Sequence, residues 1–356
     1  MRQLSQIYLL LLLVTPLNGC TTIGYYGQAI GGHVSLMMKA RPINQVTTAP
    51  ETDPELRRRL ELAAQAREFA AKELSLPVDD AFSKYVALGR PWVVVNLVAV
   101  PEFSLTPHQW CYPFVGCQSY RGYFQLADAR QEQTAFRERH YDTFIGAVTA
   151  YSTLGWFDDP LHTGFTSLAD DRMVALMFHE LAHRVLYING DTAFNESFAT
   201  AVELEGLRLW LERQGASEGF ERALARLQHR QKTLELVAAT SEQLQQLYAR
   251  QDTMDKSTLR ARKAQLLDEL ARDYANLADQ YEEPGPFGPP PVRLNNAQLA
   301  LFRQYNQHVP AFRQMLKELD YHFSEFYRAV GELSRQPADS RSAQLNLLSE
   351  RFVENL

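Results

Sequence analysis

The sequence is poor in cysteine and carries no excess of basic residues. It contains only 3 cysteines in 356 residues, too few to supply two pairs for a four-cysteine zinc site. Lysine and arginine number 36 against 42 aspartates and glutamates, which gives a formal net charge of −6. A protein with this charge and no basic stripe competes poorly for phosphate groups, so we expect no nucleic-acid partner.

A long hydrophobic run is also missing. The apolar run from residue 7 to residue 14 follows Arg2 and is too short to span a bilayer. It precedes Leu-Asn-Gly-Cys at residues 17–20, which looks like a lipobox, although asparagine is an unusual occupant of its position. We therefore predict that residues 1–19 are a lipoprotein signal peptide and that Cys20 is lipidated. A transmembrane anchor or a buried core helix is the alternative.

Thr21, which follows the lipobox, and the two remaining cysteines indicate a cellular location. Thr21 is not the aspartate that would retain a lipoprotein in the inner membrane, so we expect a bacterial outer membrane lipoprotein that faces the periplasm. Cys111 and Cys117 bracket Tyr-Pro-Phe-Val-Gly and could close a small disulfide loop in that oxidising compartment. Two unpaired thiols are the alternative.

The most informative motif is His-Glu-Leu-Ala-His at residues 179–183. A spacing of four residues brings His179 and His183 onto one face of a helix, where both imidazoles can bind the same metal ion. Glu180 lies beside them and could take a proton from a water molecule on that metal. This arrangement is typical of a zinc hydrolase.

Helix geometry selects a third ligand. Residues 170–188 are predicted to form one helix, a turn follows at residues 189–192, and a second helix begins near Thr192. His183 lies about 7 Å of helical rise before the turn and Glu196 about 6 Å after it, so the two meet in an antiparallel hairpin. Two imidazoles and one carboxylate leave a fourth tetrahedral position open, as in catalytic zinc sites.

These helices resemble the active site of the gluzincin metallopeptidases, in particular the aminopeptidase N type, because Asn-Glu-Ser-Phe-Ala at residues 195–199 is followed by Glu203. The chain is also similar to a bacterial family of predicted zinc aminopeptidase lipoproteins. The resemblance implies that His179, His183 and Glu196 bind one Zn²⁺ and that Glu180 is the base. The second resemblance rests on three segments outside these helices. They are Gly24-Tyr25-Tyr26 with Gln28, residues 155–160, and Asn295-Asn296-Ala297 with Tyr305.

Two features differ from the aminopeptidase N pattern. Fewer residues separate His183 from Glu196, so the connection between the helices must be a tight turn. The Gly-x-Met-Glu-Asn strand that binds the free amine of the substrate in those relatives is missing, because Gly-Ala-Val-Thr-Ala-Tyr occupies residues 146–151. The resemblance therefore implies aminopeptidase specificity without the usual amine-binding carboxylate.

Other residues are weaker candidates for the site. Glu203 could orient a ligand histidine or bind a substrate amine, or it could simply pair with a surface arginine. Asp158 and Asp159 could bind the amine, but before Pro160 they are equally good turn formers. We take Tyr305 as a candidate donor to the oxyanion and Asn296 as a candidate substrate contact, with core packing as the alternative.

The rest of the chain predicts an α+β fold dominated by helices, with a gluzincin-like zinc hairpin beside a small sheet. We place an N-terminal segment and linker at residues 20–53, a metallopeptidase core at 54–213 and a helical region that completes the cleft at 214–356. Strands are expected at residues 85–88, 92–100, 120–124 and 144–151, and helices at 54–74, 218–250, 255–281 and 296–333. An edge strand within residues 144–155 could bind peptide by β-augmentation or be an ordinary packed strand.

We therefore expect a zinc-dependent peptidase of the periplasm, an aminopeptidase by resemblance, that hydrolyses peptide substrates. A metalloendopeptidase and a non-catalytic zinc-binding lipoprotein are the alternatives. Glu180 argues against the second alternative, because a scaffold needs the ligands but has no use for a general base. The sequence names no protein partner beyond the lipid anchor that attaches Cys20 to the membrane.

The lipidation prediction can be tested with Cys20→Ser. This change should abolish acyl labelling and leave the precursor unprocessed, because the thiol of Cys20 is the atom to be acylated. Metabolic labelling with a fatty acid and the mobility of the protein on a gel measure both effects. A product of mature size that still fractionates with the membrane would contradict lipidation.

Overall fold

The structure, a computed structural model, describes residues 19–112, 116–149, 159–216, 218–302 and 307–352. Its helices are α1 (Gly19–Lys39), α2 (Ile43–Thr48), α3 (Pro54–Lys72), α4 (Leu126–Glu138), α5 (Thr163–Thr166), α6 (Asp170–Val185), α7 (Thr192–Gln214), α8 (Glu218–Tyr248), α9 (Lys256–Ala278), α10 (Asn296–Phe302), α11 (Val309–Glu318), α12 (Phe323–Ser334) and α13 (Ala338–Arg351). The strands are β1 (Arg41–Pro42), β2 (Lys84–Val86), β3 (Val94–Pro101), β4 (Trp110–Tyr112), β5 (Gly116–Gln118), β6 (Arg121–Tyr123), β7 (Tyr141–Val148) and β8 (Leu161–His162).

The predicted helix-dominated α+β class is confirmed. Within the described ranges, none of the helices has the length and apolar character needed to cross a membrane.

The strands form small sheets. The largest has the order β6-β3-β7 and is antiparallel, with Val94 opposite Val148 and Pro101 opposite Tyr141. A second sheet has the order β1-β2-β8, in which β2 and β8 are parallel. β4 and β5 make a hairpin in which Cys111 lies opposite Cys117, and a disulfide joins them.

The helix α7 is the centre of the helical part. It is buried on nearly all sides, with apolar residues around its whole circumference, which is the pattern of a helix inside a core. Its Phe194 packs edge-on against Phe312 of α11 at 5.0 Å between ring centroids, and Phe198 stacks on Phe326 of α12 at 5.8 Å. The C-terminal helices therefore hold α7 from the side opposite to α6.

A buried ion pair reinforces this contact. Glu205 of α7 accepts hydrogen bonds from Arg313 of α11 at 2.7 Å and from Arg208 at 2.8 Å. Both Glu205 and Arg313 are almost completely buried, and a buried charge is tolerated only when it is paired in this way.

Several sequence-based boundaries need correction. The first zinc helix was predicted to reach residue 188, but α6 ends at Val185 because Leu186 is already extended (φ −153°, ψ 136°). In the described part of residues 296–333, where a single helical run was expected, there are three helices, and Asp320 and Tyr321 separate the last two with positive φ values of 49° and 58°. The helices α1 and α4 were not predicted at all.

Close packing between α6, α7 and the segment that follows α3 can be tested at Gly206. A Cβ atom there would lie 2.7 Å from Cδ1 of Leu74 and 3.0 Å from Cδ2 of Phe178, and both side chains are fully buried. We expect Gly206→Ala to lower the free energy of unfolding by about 1–3 kcal/mol, because overpacking outweighs the gain of helix propensity. Urea denaturation measures the change.

Gly331 is the matched control, because it lies in α12 and a Cβ atom there would meet nothing within 4 Å. Gly331→Ala should raise the free energy of unfolding by up to about 1 kcal/mol. If both substitutions stabilised the protein equally, the close approach at Gly206 would not exist in solution.

Candidate active site

Three side chains converge between α6 and α7. Nε2 of His179 lies 3.2 Å from Nε2 of His183 and 3.4 Å from Oε2 of Glu196, and Oε1 of Glu196 lies 3.7 Å from Nε2 of His183. Zinc bonds of 2.0–2.1 Å at tetrahedral angles separate two ligand atoms by about 3.3 Å. The donor set and its spacing thus fit a zinc ion, and these residues could hold a metal.

The turn between the helices places Glu196 opposite the histidines. The side chain of Asn195 accepts a hydrogen bond from the backbone N–H of Ile188 and donates one to the carbonyl of the same residue, both at 2.8 Å. Asp191 caps α7 by accepting a hydrogen bond from the N–H of Phe194 at 3.1 Å. These local bonds fix the short connection, so Glu196 emerges in the first turn of α7 at the height of His183.

Glu203 orients the first histidine. Its Oε2 lies 2.9 Å from Nδ1 of His179, and an ionised carboxylate can only accept, so Nδ1 carries the proton. Nε2 is therefore the ring atom that faces His183 and Glu196. Carboxylates in this position hold a ligand histidine in its metal-binding tautomer and raise its basicity.

The electrostatics prepare the cluster for a cation. Burial opposes protonation of His179, but hydrogen bonds to Glu196 and Glu203 raise its pKa well above the usual value. Burial, together with the charge of His179, lowers the pKa of His183 to about 4. Burial opposes ionisation of Glu196, yet its hydrogen bond with His179 gives a net lowering of its pKa. A neutral His183 and an ionised Glu196 are the protonation states that bind metals, whereas His179 must release the proton on Nε2 when a metal binds.

Glu180 has the properties of a general base. Burial raises its pKa to about 7, and the negative charges of Glu196, Asp159 and Glu203 act in the same direction. A base is most effective when its pKa lies near the working pH. Glu180 is thus able both to accept and to release a proton at neutral pH.

The other residues predicted for the site are Asp158, Asp159, Asn296 and Tyr305. Asp158 and Tyr305 lie outside the described residues. Asp159 is buried, and its carbonyl accepts a hydrogen bond from the N–H of Phe82 at 2.9 Å. Asn296 has no exposed surface: its amide donates to the carbonyls of Glu102 at 3.0 Å and of Ser104 at 2.7 Å, and its oxygen accepts from the hydroxyl of Tyr248. The side chain of Asn296 thus joins the segment that follows β3 to Tyr248 of α8, and it is buried in this conformation.

Two tyrosines near the metal ligands were missed. Tyr187 follows α6 with its ring 6.4 Å from that of His183, and Tyr120 lies between β5 and β6. Desolvation raises the pKa of both hydroxyls, and the charge of Glu196 raises each further, so both lie within electrostatic range of that ligand. The spacing of Tyr187 from His183 was a usable signal, whereas nothing in the sequence connects Tyr120 with the site.

A cleft of about 440 Å³ opens from Glu196 and Glu203. Its walls come from one face each of α6, α7 and α8 and from the loop after α9. The lining residues are Leu168, Arg172, Ala175 and Leu176; Glu196, Thr200, Glu203 and Leu204; Ala223, Arg226, Leu227, His229 and Arg230; and the loop Glu283, Pro284, Gly285 and Pro286. This volume is in the range of sites for small ligands.

Comparison with known proteins agrees with a hydrolytic site. Residues 24–345 match the model of a family described as "Putative aminopeptidase". The chain belongs to this family. No curated protein and no solved structure matches the chain. The matched range includes α6, α7 and the helices that form the cleft, so the family resemblance and the site geometry concern the same part of the molecule.

The role of Glu203 predicts a graded loss of metal affinity. Glu203→Ala should weaken zinc binding by about 10- to 100-fold, because His179 loses the partner that fixes its tautomer. Competition with a chromogenic chelator measures the affinity. Glu212→Ala, an exposed glutamate of the same helix, is the control and should leave the affinity unchanged. Equal affinities for all three proteins would contradict the orienting role.

Proposed function

We propose that the protein is a zinc-dependent peptidase and, within that class, an aminopeptidase. The observation that carries the proposal is the spacing of 3.2–3.7 Å among the ligand atoms of His179, His183 and Glu196, with Glu180 adjacent. Membership of the family described above supports a peptide as the substrate. The resemblance of the two helices to those of gluzincins supports zinc as the metal.

The chain contributes most of the chemistry through Glu180. A zinc ion held by His179, His183 and Glu196 would polarise the scissile carbonyl and acidify a water molecule. Glu180 accepts the proton of that water and returns it to the leaving amine, for which a pKa of about 7 suits both directions of transfer. Glu203 keeps the imidazole of His179 in place during the reaction.

The negative charge that develops on the carbonyl oxygen needs a hydrogen-bond donor. Tyr305 is the candidate from the sequence. Tyr120 and Tyr187 are two further candidates, because both are partly exposed, lie within electrostatic range of Glu196 and carry neutral hydroxyls at neutral pH. Either hydroxyl could donate to the oxyanion.

Recognition of a substrate amine requires a carboxylate near the metal. The outer strand β7 of the described sheet supplies none beyond Asp142, which pairs with Lys263 at 2.6 Å. Glu203 lines the cleft and is our first candidate for binding the amine. It would do so while keeping its hydrogen bond with His179. Asp159 is less suitable because its side chain is buried, and Asp158 remains a candidate from the sequence. We also propose that the outer edge of β7 pairs with the peptide backbone.

We place the enzyme in the periplasm, attached to the outer membrane through the lipid on Cys20. The disulfide between Cys111 and Cys117 supports this location, since such bonds persist in oxidising compartments.

The proposal is tested with Glu180→Gln and Glu196→Ala. The first variant should retain about one zinc per chain and lose peptide hydrolysis, because Glu180 is a base and not a ligand. The second should lose both. Metal analysis and a panel of fluorogenic peptides measure these effects, and equal metal loss in the two variants would contradict the division of roles.

The same panel tests the specificity. Unmodified protein should cleave peptides with a free amine faster than their N-acetylated forms, and Glu203→Gln should remove the difference while some zinc remains bound. If acetylated peptides were cut as readily as free ones, the enzyme would be an endopeptidase.

A further inference from the structure

Three arginines line the cleft that opens from the metal ligands. Arg226 and Arg230 lie one turn apart on α8, and Arg172 lies near the start of α6. Ala223 and Leu227 share the α8 face with the two arginines, which is the spacing of residues on one side of a helix. This arginine wall, made of Arg172, Arg226 and Arg230, faces the α7 face that carries Glu196 and Glu203.

Ion pairs hold Arg226 and Arg172 of the arginine wall in place. Arg226 donates to Glu283 at 2.9 Å and to Asp171 at 3.2 Å, and Arg172 lies 3.9 Å from Glu283. These contacts attach the loop after α9 and the helix α8 to the start of α6. Arg230 lines the same cleft as Glu196 and Glu203, so its guanidinium group shares one cavity with the candidate metal ligand.

The charge of the cleft depends on the metal. Its lining contains three arginines and three glutamates, namely Glu196, Glu203 and Glu283, which balance one another. A divalent cation bound at the site would offset the negative charges of Glu196 and Glu203 and so make the cleft less negative. In a partly enclosed cleft, such a change raises the local concentration of anionic groups near the arginines.

We propose that the arginine wall, with Arg230 as its principal residue, binds a carboxylate group of the peptide substrate. The inference rests on the proposed peptidase function and specifies its substrates as short peptides that carry a carboxylate. A guanidinium group recognises a carboxylate through two parallel hydrogen bonds, which fixes the orientation as well as the position of the peptide. The carboxylate could belong to the C-terminus or to an acidic side chain.

The test compares trialanine, trialanine amide and Ala-Glu-Ala amide as substrates of the zinc-loaded protein. We expect at least one of the two carboxylate peptides, trialanine and Ala-Glu-Ala amide, to have a higher kcat/KM than trialanine amide. The ratio should be about 10- to 100-fold, because a hydrogen bond to a charged group has an effect of this size. A preference for trialanine assigns the carboxylate to the C-terminus, and a preference for Ala-Glu-Ala amide assigns it to a side chain. Arg230→Met should reduce the preference to near unity, and Arg230→Lys should keep part of it.

Arg222→Met is the matched control. Arg222 lies on the same helix but lines a neighbouring pocket, so the preference should persist in this variant. Equal kcat/KM for the three peptides with unmodified protein, or a preference that survives Arg230→Met, would overturn the proposal.

Binding separates this proposal from the peptidase function. Calorimetry with zinc-loaded Glu180→Gln should show tighter binding of the carboxylate peptides, and the double variant with Arg230→Met should not. Selective binding without hydrolysis by the unmodified protein would reject the peptidase function and retain the arginine wall. Hydrolysis without any selectivity in rate or binding would reject the wall alone.

Discussion

The carboxamide of Asn195 makes the contact on which the candidate metal site depends. Its two hydrogen bonds to the backbone of Ile188 close the connection between α6 and α7, and the next residue, Glu196, is thereby directed at the histidines. A side chain that satisfies both polar groups of one residue holds a turn more firmly than a single hydrogen bond does. The burial of α7 against α11 and α12 then prevents the helix from rotating.

The second constraint is electrostatic. Glu180, Glu196 and Glu203 bring three carboxyl groups to two imidazoles in a half-buried place, where unpaired charge is costly. The cluster compensates by binding a proton on His179 and by raising the pKa of Glu180. A divalent cation would neutralise the same groups more completely, which explains why a stable fold can tolerate this arrangement of charges.

The local part of the site could be predicted from the sequence, and the distant part could not. Helical spacing relates His179 to His183, and a short turn relates both to Glu196, so periodicity and rise were sufficient. Arg230 reaches the cleft only because α8 folds back over α7, and no pattern in the sequence reports that packing. The burial of Asn296 could not be predicted for the same reason, since its partners, the carbonyls of Glu102 and Ser104, lie far away along the chain.

The fold, like the site, could be predicted only in part from the sequence. Long helices with clear apolar stripes, such as α8 and α9, were predicted to within a few residues. The helix α4 was missed because it buries only Ala129 and Phe136, seven positions apart, which is too sparse a pattern to detect. The end of α6 was misplaced because the extended conformation of Leu186 serves the turn and no glycine or proline marks it.

The most direct measurement is the diffraction of crystals grown with zinc, recorded on both sides of the zinc absorption edge. We expect one anomalous peak about 2.0–2.2 Å from Nε2 of His179, Nε2 of His183 and a carboxylate oxygen of Glu196. Glu180 should lie beside the peak without binding it, and Glu203 should bind only His179. A fully occupied peak ligated by Glu180, or zinc bound elsewhere while these three residues stay vacant, would contradict the account.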